Sequence, residues 1–77
     1  MRKKVYIRMS NVTDITTFAM LAGQVDGDID VTKGKYCADG ASLMGLFGID
    51  MSTGVTVEYP EEAIQFDEFI TPFIIEG

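Results

Sequence analysis

Histidine is absent from this 77-residue chain, and so is tryptophan. Without histidine there is no imidazole to take up a proton, a phosphoryl group or a metal ion near neutral pH. Cysteine occurs once, at Cys37. A single cysteine excludes an internal disulfide and any multi-cysteine zinc site, and fits a reducing cytoplasm. No apolar run approaches the roughly 20 residues of a membrane span. The basic start Arg2-Lys3-Lys4 does not open a signal peptide, because Arg8, Ser10, Asn11 and Asp14 break the apolar stretch behind it. Basic residues disappear altogether after Lys35, while Asp39, Asp50, Glu58, Glu61, Glu62, Asp67, Glu68 and Glu76 follow. The net charge is −6. An acidic chain with no basic stripe is a poor nucleic-acid binder, since that affinity depends on neutralising phosphates. Its surface charge reads either as plain solubility or as an acidic face for a basic partner protein.

What remains is ample for one core. Apolar residues make up 47% of the chain, with five Phe and three Tyr. At this length residues 1–77 form a single domain, which buries roughly 60% of its extended-chain surface.

Lys3 to Met9 alternates, with Val5, Ile7 and Met9 on one face and Lys4, Tyr6 and Arg8 on the other, the mark of a half-buried strand. Cap-type residues fill Ser10 to Asp14. Ile15, Phe18, Ala19 and Ala22 then recur at helical spacing until Gly23, which predicts a helix over about 13–23. Asp28 to Thr32 alternates again with Ile29 and Val31 inward. Lys33-Gly34 sits at a hairpin turn, and Lys35 to Ala38 returns. Ser42 opens a short apolar helix, Leu43-Met44-Gly45-Leu46-Phe47, a turn follows at Asp50 to Gly54, and Val55 to Tyr59 is the last strand. Phe66, Phe69, Ile70 and Phe73 have helical spacing, and Pro72 should end that helix near Thr71. The order is β-α-β-β-α-β-α. One-sided strands of this kind want an antiparallel sheet covered on one face by helices, an α+β arrangement.

The passage Ser42-Leu43-Met44-Gly45-Leu46-Phe47, with its loop and the strand to Glu58, resembles the HPr family, the histidine phosphocarriers of the bacterial sugar phosphotransferase system. The likeness runs from about Ser10 to Glu58, is best at Ala22–Lys35 and at Ser42–Glu58 and weak in the last helix, with one extra residue between Lys35 and Ser42. It implies a two-layer open sandwich with a four-stranded antiparallel sheet in the order 1-4-2-3 under three helices. It also implies a phosphoryl site just before the first helix, built from a histidine, an alanine and an arginine. Counting back from Ala22 places Asn11, Val12 and Thr13 there. An amide nitrogen is not basic and cannot take the phosphoryl group, and the cationic clamp is lost with the arginine. Asp14 complements the helix dipole but repels phosphate. Asn11, Thr13 and Asp14 read as caps.

Ser42 matches the serine that an ATP-dependent kinase phosphorylates in low-GC Gram-positive members of the family. It is also an N-cap, whatever else it does. Leu43, Met44 and Phe47 match the apolar positions that the family turns towards protein partners. A short helix cannot bury all of them, so Leu46 with one neighbour belongs to the core, and Met44 and Phe47 are candidates for an exposed patch. The resemblance thus leads to a cytoplasmic, non-enzymatic protein closest to the Crh-type paralogues, which replace the histidine and keep the serine. Its partner would be a transcription factor, a kinase or a metabolic enzyme, and the chain itself a monomer or homodimer. The alternatives are a phosphotransfer component using Asp14 or Ser42 as acceptor, and a degenerate paralogue with only a structural role. No cofactor or metal is expected. Asp26, Asp28 and Asp30 are spaced like the start of a calcium loop, but the glycine and the closing glutamate are missing. Cys37, with no histidine to activate it, is expected as a buried or half-buried strand residue.

Overall fold

A computed structural model describes residues 1–75 and places on them the elements β1 (Arg2–Ile7), α1 (Val12–Gln24), β2 (Asp30–Lys33), β3 (Tyr36–Asp39), α2 (Leu43–Ile49), β4 (Val55–Pro60) and α3 (Ile64–Ile70). Single 3₁₀ turns follow α2 at Met51–Thr53 and α3 at Thr71–Phe73. Glu76, one of the acids of the second half, lies outside the described residues. The four strands form one antiparallel sheet in the order β1-β4-β2-β3. It is the α+β open sandwich expected from the sequence.

Alternation along the strands decides what lies under the helices. Ile7, Val31, Val55, Val57 and Tyr59 point into the core, and Ile15, Phe18, Leu46, Phe66 and Ile70 come down on them from the three helices. Phe66 stands edge-on to both Phe18 and Tyr59, with ring centroids 5.1 and 5.2 Å apart. The three rings therefore lock α1, α3 and β4 together, and each such pair contributes about 1 kcal/mol beyond its buried area.

On the open face, side chains follow the register. Lys4, Glu58, Asp30 and Asp39 form one row across the sheet, and Tyr6, Thr56, Thr32 and Cys37 the next. Arg2 spans the first row from above, with Nε 2.8 Å from Glu58 and a terminal nitrogen 3.2 Å from Asp30. The second row corrects the expectation of a buried or half-buried Cys37, which is exposed. The residue falls on an edge strand and on the uncovered face, so β2 flanks it on one side only and no helix shields it. The hairpin turn also shifts by one residue, to Gly34-Lys35. Gly34 takes φ 60° at the first turn position, where an L residue is strained.

The two outer edges of the sheet differ. Beyond β1 the chain's last described residues run alongside: Arg8 N–H donates to Phe73 O at 3.1 Å and Ile75 N–H to Tyr6 O at 2.9 Å. The edge at β3 has no such cover among the described residues.

Candidate functional site

The start of α1 and the length of α2 lie side by side at one end of the helical layer. Asn11 holds an extended backbone (φ −84°, ψ 126°) and caps α1. Its Oδ1 accepts from Thr13 N–H at 2.8 Å and from Asp14 N–H at 3.4 Å. Two of the amides that a helix N-terminus offers to an anion are thereby filled by the cap itself. Asn11 is thus the cap of α1, whereas Thr13 and Asp14, read from the sequence as caps too, lie in its first turn and donate their amides to Asn11.

Between this terminus and the end of α2 is a cleft of about 180 Å³ walled by Val12, Ile15, Phe47, Asp50 and Ser52. Asp50 adopts a left-handed conformation, φ 58°. Its carboxylate accepts from the Ser52 hydroxyl at 2.6 Å and from Ser52 N–H at 3.3 Å. These bonds, the hydroxyl's first, hold its pKa below the ordinary aspartate value. The cleft beside the α1 terminus is therefore walled by a fixed negative charge, which opposes a second anion. From the sequence alone, Asp50 marks only the start of a turn. The signal it carried was a non-glycine acid at a helix end, where aspartate tolerates the left-handed region.

Ser42 caps α2, its Oγ accepting from Gly45 N–H at 3.2 Å while its carbonyl accepts from Leu46 N–H at 3.0 Å. The hydroxyl is on the surface, since Ser42 is an exposed residue. Along α2 the helical period divides the apolar residues. Leu46 and Ile49 go to the core, whereas Leu43 lies at the rim, Met44 is 87% exposed and Phe47 46%. Across the cleft Val12 is exposed as well. The exposed side of α2 and the first turn of α1 thus form one apolar surface, with Val12 a member that the sequence reading did not single out.

No protein-family model matches the chain, and no curated protein matches it in sequence. Solved structures do. HPr-C-His from Thermoanaerobacter tengcongensis superposes with a TM-score of 0.71 at 20% identity, over 94% of this chain and 91% of that one. A phosphocarrier protein HPr from Bacillus anthracis str. Ames gives 0.68 at 17% identity, over 97% and 96%. The chain has the HPr fold. At these identities the likeness shows the architecture. In the HPr fold of this chain, the residue before α1 is the capping group Asn11, Thr13 lies in the first turn and donates its amide to that cap, and Ser42, Leu43, Met44 and Phe47 stand together at and along α2. Asp14 has no cation paired with it among the described residues.

Proposed function

We propose that this chain is a non-enzymatic regulatory module built on the HPr fold. In this reading it has no histidine phosphocarrier activity and acts by docking to a protein partner through Met44, Phe47, Leu43 and Val12. The carrying observation is the juxtaposition at one end of the helical layer. An apolar surface of the kind that marks interaction sites lies open there. The neighbouring helix terminus, meanwhile, is capped by its own asparagine and flanked by Asp50. The site keeps a contact surface and lacks the means to hold a phosphoryl group.

Ser42 supplies the switch in this reading, as in Crh-type proteins of the bacterial cytoplasm. A phosphate on its oxygen would face the free amides at the start of α2 and gain from the helix dipole, so the fold tolerates it. It would also add about two negative charges one and two residues from Leu43 and Met44, which changes what can dock there. The partner is a transcription factor, a kinase or a metabolic enzyme of the sugar phosphotransferase network. Treatment with an HPr-type serine kinase and ATP, followed by intact-mass measurement, tests the switch. One added phosphate on the parent and none on Ser42→Ala is the expected result. An unmodified parent that remains folded would reduce Ser42 to a cap and favour a purely structural paralogue.

A further inference from the structure

We propose that the bare edge of β3 is a self-pairing surface, on which a second copy of this chain adds its own β3 antiparallel about a two-fold axis at Cys37. The hairpin β2–β3 turns through two residues, so Lys33 and Tyr36 exchange hydrogen bonds with each other. Backbone groups then alternate along β3. Those of Tyr36 and Ala38 face β2, and Gly40 continues the series by donating to Ile29 O at 2.7 Å. Those of Cys37 and the N–H of Asp39 are left facing outward. A row of outward donors and acceptors is a template for another strand. At the opposite edge, residues 73–75 occupy the equivalent row beside β1.

Charge selects the occupant and the register. Lys35 is exposed and takes part in no ion pair among the described residues. Asp39 stands opposite Asp30 across β2 and β3, a like-charge neighbour, and the cation of that row, Arg2, reaches Asp30 from the far side. One Asp39 oxygen accepts from Ala41 N–H at 2.9 Å, and among the described residues no cation pairs with the carboxylate. With Cys37 opposite Cys37 of the second copy, Lys35 of each chain comes opposite Asp39 of the other, on the same face of the sheet. Both chains gain one such pair by symmetry. Slipping the register by two residues sets Lys35 against Cys37 or Ala41 and forfeits both pairs.

The other face of the edge fits the same occupant. Tyr36 is 74% exposed. It comes opposite Ala38 of the second copy, above a groove of about 340 Å³ that runs between β3 and α2. Gly45 brings α2 close to Ala38, and Gly48 leaves open space on the groove floor. The tyrosine ring is the one large apolar group on the edge, and the groove is where the second copy would receive it. With only four residues in each strand, the contact belongs with weak interfaces of less than about 1,200 Å². It is separate from the Met44–Phe47 surface and does not depend on what that surface binds.

Sedimentation equilibrium over a concentration series tests it, with thermal melts to confirm that each variant is folded. The parent should show a concentration-dependent monomer–dimer equilibrium. Lys35→Asp and Asp39→Lys should each weaken the dimer about tenfold, since each reverses two pairs at once. The double variant, which restores opposite charges in the same register, should return to near the parent's affinity. A short bis-maleimide should cross-link Cys37 in the parent dimer. A chain that stays monomeric to its solubility limit would overturn the proposal. So would a dimer indifferent to both reversals, or one in which Cys37 is not cross-linked.

Discussion

At the scale of single residues, α2 divides between what it buries and what it presents. Leu46 is wholly enclosed, so Leu46→Ala should cost about 2–5 kcal/mol through lost burial and the cavity it leaves. Met44→Ser should stay within about 0.5 kcal/mol of the parent, because its side chain has little to lose. Ser42→Ala should cost about 1 kcal/mol for the cap alone. Urea denaturation of the three variants gives the comparison directly. A large loss on Met44→Ser would mean that the side chain packs somewhere, and the docking surface would lose its basis. Gly54 offers a second residue-scale test. It has φ 102°, and a β-carbon there would collide with the Tyr6 hydroxyl. Gly54→Ala should therefore destabilise by about 1–3 kcal/mol, more than a glycine-to-alanine change in a relaxed turn.

Among the elements, α3 is tied to the sheet by one carboxylate. Asp67 accepts from Lys3 Nζ on β1 at 2.9 Å and from the Tyr59 hydroxyl on β4. The bond from Lys3 and then that from Tyr59 hold the Asp67 pKa below its ordinary value. Burial, together with this carboxylate, pushes the Tyr59 phenol well above its usual range. The two titrations have opposite signs. The Asp67 contribution is present above the unfolded aspartate pKa and is lost as pH falls through the lower folded value. The Tyr59 contribution is whole below the ordinary tyrosine pKa near 10 and is lost as pH rises towards the folded value. Melting temperature should therefore fall on both sides of neutrality, and Asp67→Asn should flatten the acid limb between about pH 5 and pH 2. An acid limb unchanged in Asp67→Asn would show that this carboxylate does not anchor α3.

The elements were also the most legible part of the sequence. Alternation in Val5–Ile7 and Val55–Tyr59 and the helical spacing of Ile15, Phe18 and Ala22 report directly on burial, and the strands and helices fall within a few residues of where those patterns put them. Ser42 and Asn11 were legible as caps because their chemistry is local. Cys37 was not, because its environment depends on β3 being an edge and on which face the helices cover, neither of which its neighbours encode. Asp50 and Val12 joined the candidate site only through the approach of α1 to α2, a contact between residues far apart in the chain.

For the whole molecule, an HPr fold is present, and the central proposal is that its phosphoryl-transfer chemistry is not. The fold follows from the sheet order and from the superposition on solved HPr structures. The proposal that histidine phosphocarrier chemistry is absent is supported by a chain with no histidine, a first helix capped by Asn11, and Asp50 on the wall of the cleft beside it. Glu58 adds to the acid sensitivity of the molecule as a whole. The hydrogen bond from Arg2, then the charge of Lys4, hold its pKa below the ordinary glutamate value. The open-face row of charges should accordingly loosen as Glu58 protonates. The most direct test is intact-mass measurement of the folded protein after incubation with phosphoenolpyruvate and Enzyme I of the phosphotransferase system. The account predicts an unchanged mass under conditions that fully phosphorylate a histidine-bearing HPr. Stoichiometric, acid-labile phosphate on this chain would contradict it and point to an acyl phosphate on a carboxylate such as Asp14.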